Sequence, residues 1–213
     1  MQTPSAYRAF ISAFKKSARR LAGDDRQERL FDGDDKLFKE QLALASIYGE
    51  YGCGASTRWV ISHTRLPVIA VDTSAMWIET VLTSIPENLG RITMKHIDLG
   101  PVGEWGRPKS YKFAHKFPSY TDYLWHHNEV PDLVLIDGRF RVGCFLATLK
   151  YAPAGTKILF DDYVPRQHYH YVEKFVRPSD FCGRQALFIT PDRSSIDQYM
   201  LEADINAFRF CMD

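Results

Sequence analysis

The stretch Glu50-Tyr51-Gly52-Cys53-Gly54-Ala55-Ser56-Thr57 decides the fold. It follows a short apolar run at residues 47–50 and leads into a helical pattern through Arg58, Trp59 and Val60. Two glycines two apart let a chain turn tightly and approach a ligand without Cβ clashes, and a helix N-terminus behind them favours negative charge. In a dinucleotide-binding G-x-G-x-x-G/A loop, position 57 would be small; here it is Thr57. Taken alone, the loop is explained equally well by a tight structural turn.

Working outward, residues 68–71, 92–97, 133–136 and 158–160 repeat the short apolar run, each ending in or near an acid or a glycine. Between them, Ile78, Val81, Leu82 and Ile85 fall at i, i+3, i+4 and i+7, and Val142, Phe145, Leu146 and Leu149 repeat that spacing. The alternation predicts stacked βαβ units, with amphipathic helices packed on a parallel sheet. Tyr169, Val172 and Val176 predict another helix, and residues 181–190, interrupted by Gly183, a closing hairpin. A last helix is expected within residues 194–206.

The first forty residues read differently. Tyr7, Phe10, Ile11 and Phe14 form one apolar stripe ahead of Lys15, Lys16, Arg19 and Arg20, so a helical cap over residues 1–40 is expected beside a single domain at 41–213. Such a cap would cover a pocket, contact a second copy in a homodimer, or simply pack. Residues 23–35, rich in Asp and Gly, read as the connection. With Lys+Arg 27 against Asp+Glu 26, the chain lacks the basic excess that drives general nucleic-acid binding. No apolar run approaches the ~18 residues of a membrane span. Four widely spaced cysteines without a C-x-x-C pair, and no signal-like N-terminus, lead to the expectation of a cytoplasmic protein with reduced core thiols.

The acids give the loop its meaning. Asp72 ends the second predicted strand 18 positions after Gly54, where a carboxylate can accept hydrogen bonds from both ribose hydroxyls of an adenosine. The bland alternative is a cap on the helix after Ser74. Asp98 ends the third strand at the same carboxyl edge, where open α/β sheets bind ligands. Three successive strands ending in Glu50, Asp72 and Asp98 beside a G-x-G loop resemble the class I S-adenosylmethionine-dependent methyltransferases over residues 45–190. The resemblance implies a three-layer, Rossmann-like, doubly wound and mostly parallel α/β sheet with a C-terminal antiparallel hairpin. It further implies that Glu50, Gly52 and Gly54 surround the methionine part of the cofactor, Asp72 holds the ribose and Asp98 reaches the adenine. Ser56, Thr73 and Asp137 complete that set.

The fourth and fifth strands run into Asp137-Gly138-Arg139 and Asp161-Asp162-Tyr163. Carboxylates that converge repel one another unless a cation, a proton or an arginine lies between them. The arrangement is similar to metal-dependent O-methyltransferases, which implies Asp137, Asp161 and Asp162 as ligands of a divalent ion such as Mg²⁺ that polarises an acceptor hydroxyl. The alternative is pairing with Arg139 or Arg141, which otherwise would grip a carboxylate or phosphate on the acceptor. Asp161 and His168 are the candidate catalytic residues, with His170 beside them. The runs Asp137-Gly138-Arg139-Phe140-Arg141 and Asp98-Leu99-Gly100-Pro101, ahead of Trp105-Gly106, also resemble a bacterial methyltransferase-like subgroup. The irregular segment 100–119 is expected to wall the adenine or acceptor pocket. The expected activity is methyl transfer to a hydroxyl of a small acceptor such as a sugar or glycan unit. The alternatives are a nicotinamide-dependent oxidoreductase and a catalytically silent cofactor-binding or interaction protein.

Overall fold

The computed structural model describes residues 30–85 and 90–213. The predicted cap helix on Tyr7, Phe10, Ile11 and Phe14, and the first part of the connection at 23–35, lie outside the described residues. Seven strands form one sheet in the order β3-β2-β1-β4-β5-β7-β6. They are β1 (Tyr48–Tyr51), β2 (Val68–Asp72), β3 (Ile92–His96), β4 (Leu133–Ile136), β5 (Lys157–Phe160), β6 (Asp180–Cys182) and β7 (Gln185–Ile189). The first five are parallel, and β7 runs antiparallel beside β5. Strand β1 starts one residue later than the apolar run suggests, because the Ile47 N–H goes to the Asp132 carboxylate at 2.9 Å. Tyr48 is the first residue to pair with Val68 and Leu133.

Successive strand side chains point to opposite faces, and the two apolar layers follow from that alternation. Tyr48, Val68, Ala70, Leu133, Leu135 and Leu159 meet α1 (Lys36–Leu42), α2 (Ala55–His63) and α3 (Ala75–Thr83). Tyr51, Ile69, Val71, Val134, Ile136, Ile158 and Phe160 meet α5 (Arg141–Tyr151) and α6 (Gln198–Phe208), beside the short α4 (Pro118–Thr121). Helix α1 crosses residue 40, and Leu37, Phe38 and Leu42 are buried in the first layer.

Three local expectations are corrected. Leu82 is exposed, because α3 ends at Thr83 and buries the arc of Ile78 and Val81, from which Leu82 is one step round. The predicted helix at Tyr169 and Val172 is a run of 3₁₀ turns, Gln167–Lys174. In that geometry residues three apart eclipse, so both side chains are buried together. The thiols are all free, but only Cys53 and Cys144 are buried, and Cys211 is exposed.

The sheet order reverses between β1 and β4, and the loops leaving those strands touch there. Gly52 has φ +94, and a Cβ on it would come within 2.7 Å of the Gly138 Cα. Replacing Gly52 with Ala therefore meets both a left-handed backbone and a backbone neighbour that has no side chain to move. Urea denaturation is expected to show a loss of at least about 1–3 kcal/mol, the strain of the conformation alone.

Candidate functional site

The loop after β1 is stitched from below. Glu50 is fully buried and accepts a hydrogen bond from the Ser56 hydroxyl, and Thr57 faces it as well. Burial pushes the Glu50 carboxyl up to about 7, against the pull of those hydroxyls. Thr57 Oγ1 also accepts the Gly54 N–H at 2.9 Å, which explains a threonine where a dinucleotide loop carries a small residue. Gly54 itself has an ordinary extended φ of −174, and a Cβ there would meet nothing within 4 Å. Its missing side chain thus leaves an open cradle at the N-terminus of α2, where backbone N–H groups favour an anion.

Asp72 closes the other side. Its Oδ2 accepts the Cys53 N–H at 2.7 Å and its Oδ1 the Ser74 N–H at 2.6 Å, so it ties the β1 loop to the start of α3. Burial raises its carboxyl to about 6, opposed by those two bonds and by His96 and Arg139. Each oxygen keeps a further lone pair for a ligand hydroxyl. Thr73 donates to the Gly106 carbonyl at 2.6 Å, so it anchors the 100–119 segment against β2. On that segment Trp105 is 70% exposed at φ +55 and lies parallel to Trp77, ring centroids 6.3 Å apart. Asp98 is exposed at the same edge, with Oδ1 capping the Gly100 N–H at 2.9 Å.

At the ends of β4 and β5, one oxygen from each of Asp137, Asp161 and Asp162 lies within 4.8 Å of the others. Guanidiniums already face all three. Arg184 binds Asp161 through two bonds, Nε to Oδ1 at 3.0 Å and Nη2 to Oδ2 at 2.7 Å, and Asp161 has no exposed surface. Arg141 reaches Asp137 at 3.0 Å and Asp162 at 3.2 Å, and donates to the Asp161 and Gly138 carbonyls. Arg166 meets Asp162 at 2.8 Å. Burial and the Asp161 carboxylate push Asp137 up, against the pull of Arg141. Asp162 sits at φ +57 and Phe140 at φ +56, so the turns that aim these groups are themselves strained.

Arg139 and Arg141, adjacent in sequence reading, therefore part company. The Arg141 guanidinium is taken up by the acids, whereas that of Arg139 has no ion pair among the described residues and its Nε is buried without a hydrogen-bond partner. His168 is exposed, 3.8 Å from Asp213, and His170 stacks on Tyr163 with its ring nitrogen at the Tyr163 carbonyl.

No family model and no curated protein matches the chain. Among solved structures it is similar to a methyltransferase-like protein from Silicibacter pomeroyi, with 32% identity over 83% of this chain and 95% of that one, and a TM-score of 0.68. The chain belongs to the class I methyltransferase family. The fold is also shared with a putative O-methyltransferase from Klebsiella pneumoniae, at 15% identity, 90% and 91% coverage and a TM-score of 0.51. Cofactor-bound Rv0187 from MTB matches at 14% identity, 89% and 98% coverage and a TM-score of 0.51.

In this methyltransferase, the sequence reading missed Arg166, Arg184 and Asp213, which reach the site from the turn after β5, the hairpin and the residues after α6. Arg184 follows Gly183 in the hairpin turn, and the antiparallel register of β7 on β5 was the available signal. Replacing Arg184 with Met leaves Asp161 charged and buried without its partner, a loss expected at about 3–5 kcal/mol. The double variant Asp161→Asn with Arg184→Met should recover part of it in the same denaturation series, as coupled partners do.

Proposed function

We propose that this methyltransferase moves the methyl group of S-adenosylmethionine to a hydroxyl of a small acceptor, such as a sugar or glycan unit. The observation that carries the reading is the open cradle at Gly54, facing a carboxylate, Asp72, held by two backbone N–H groups. Asp72 would take the ribose hydroxyls, Asp98 the adenine amino group, and the loop at Gly52, Gly54 and Ser56 the methionine part. The parallel Trp77 and Trp105 rings offer the adenine an apolar wall. The cofactor supplies an activated methyl on a sulfonium. The protein supplies alignment of the acceptor oxygen with that carbon, which accounts for most of such acceleration.

The acceptor must also lose a proton. His168, exposed 3.8 Å from Asp213, would take it, with the Asp213 carboxylate favouring the protonated imidazole that results. Asp161 is less suited to that role, since both its oxygens are bonded to Arg184 and it has no exposed surface. The same contacts bear on a metal. Asp137, Asp161 and Asp162 are the residues that would face a divalent ion, but three guanidiniums already balance their charge. The donor set does not fit an ion without displacing those arginines, so we assign no step to one.

Calorimetric titration with S-adenosylhomocysteine tests the reading. The ribose-binding form of Asp72 is the carboxylate, so affinity should fall as pH drops through about 6. Asp72→Asn should weaken binding at neutral pH by at least about tenfold and flatten the pH dependence. EDTA or added Mg²⁺ should change neither. Absence of binding would refute the cofactor assignment, and binding without methyl transfer to any hydroxylated acceptor would favour a silent cofactor-binding protein.

A further inference from the structure

Four arginines gather around the start of α5, and three of them, Arg141, Arg166 and Arg184, have carboxylate partners. The fourth differs. The Arg139 backbone is firmly placed: its N–H donates to the Tyr120 hydroxyl at 3.3 Å and its carbonyl accepts the Cys144 thiol at 3.4 Å. Gly138 before it packs on Gly52, and Phe140 after it is fully buried in a left-handed conformation, its ring 4.8 Å from that of Phe117. The guanidinium delivered from this rigid turn makes no hydrogen bond or ion pair among the described residues, and its Nε is shut off from solvent. Desolvation and the neighbouring Arg141 both disfavour its charge.

Its Nε forfeits hydration without a partner, a cost that a carboxylate or phosphate accepting two parallel N–H bonds, from Nε and a terminal nitrogen, would recover. Asp72 and Asp213 are close enough to feel its charge, yet neither accepts a hydrogen bond from it. Asp213 itself keeps a buried oxygen, Oδ1, without a partner, and its other oxygen faces His168. Arg139 leaves the end of β4 and therefore stands between Asp72 and the part of the sheet edge that holds Asp213 and His168. The cradle at Gly54 and the N-terminus of α2 lie on the β1 side.

We propose that Arg139 binds an anionic group, a carboxylate or a phosphate, on the methyl acceptor, so that the acceptor is an acidic hydroxy compound such as a uronic acid or a sugar phosphate. The proposal rests on the methyl-transfer reading above, and it separates Arg139 from Arg141 as the residue that selects the acceptor.

The test is thermal unfolding of protein saturated with S-adenosylhomocysteine and titrated with inorganic phosphate, beside calorimetry of the cofactor product alone. Phosphate should raise the unfolding temperature of the loaded protein saturably, because it binds the folded state. Arg139→Gln should abolish that shift while S-adenosylhomocysteine affinity stays within about threefold of the parent, and Arg139→Lys should retain part of it. A phosphate shift that survives in Arg139→Gln overturns the proposal. So does a variant that binds S-adenosylhomocysteine more weakly but methylthioadenosine, which lacks the amino-acid carboxylate, unchanged; the guanidinium would then serve the cofactor. If the parent binds neither adenosyl ligand, the methyl-transfer reading fails instead, whatever phosphate does.

Discussion

Asp161 is a carboxylate with no access to water, and its two bonds from Arg184 are the constraint on which the carboxyl edge depends. An isolated charge in that position would be prohibitive, so the end of β5 can be acidic only because the hairpin of β6 and β7 brings a guanidinium to it. Arg184 also binds Asp32 at 2.7 Å, which draws the segment before α1 over the same edge. Arg141 and Arg166 extend the network to Asp137 and Asp162. The cluster thereby holds three separate parts of the chain in register, and the region around it can be strained at Phe140 and Asp162 without coming apart.

The other half of the edge is built by hydrogen bonds to backbone instead of by ion pairs. Asp72 holds the β1 loop and the start of α3, Thr57 closes the loop on itself, and Thr73 fixes the 100–119 segment through Gly106. These bonds leave Gly54 open while removing slack from everything around it. The site accordingly has two chemical characters: a neutralised acidic floor at β4 and β5, and a preorganised, anion-tolerant cradle at β1 and β2. Arg139 stands at their junction with no ion pair among the described residues, which is why the proposed anion contact falls to it.

Much of this was legible in the sequence, and for physical reasons. The central strands are legible as short apolar runs, since β2 and β4 are buried along their whole length, and α5 buries an unbroken set of side chains from Arg141 to Leu149. The acids at 50, 72, 98, 137, 161 and 162 are legible because strand ends in parallel sheets all arrive at one edge. Periodicity was less informative where the geometry changes pitch, as at Tyr169 and Val172, or where a short helix leaves a hydrophobic residue such as Leu82 outside its buried arc. Thr57 was legible only as a departure from a pattern; its hydrogen bond to the Gly54 N–H turns that departure into a reason.

The sequence by itself determined the βαβ order, the strand ends that carry acids and the glycine loop between them, because these depend on local period and spacing. Tertiary structure alone decided what each acid faces. Arg184 and Asp161 are 23 residues apart along the chain, and their pairing arises from the antiparallel return of β7 beside β5. The separation of Arg139 from Arg141 is likewise a matter of space. Two residues of one type, two positions apart, were given different surroundings by a left-handed turn at Phe140 and by the carboxylates that only Arg141 pairs with among the described residues.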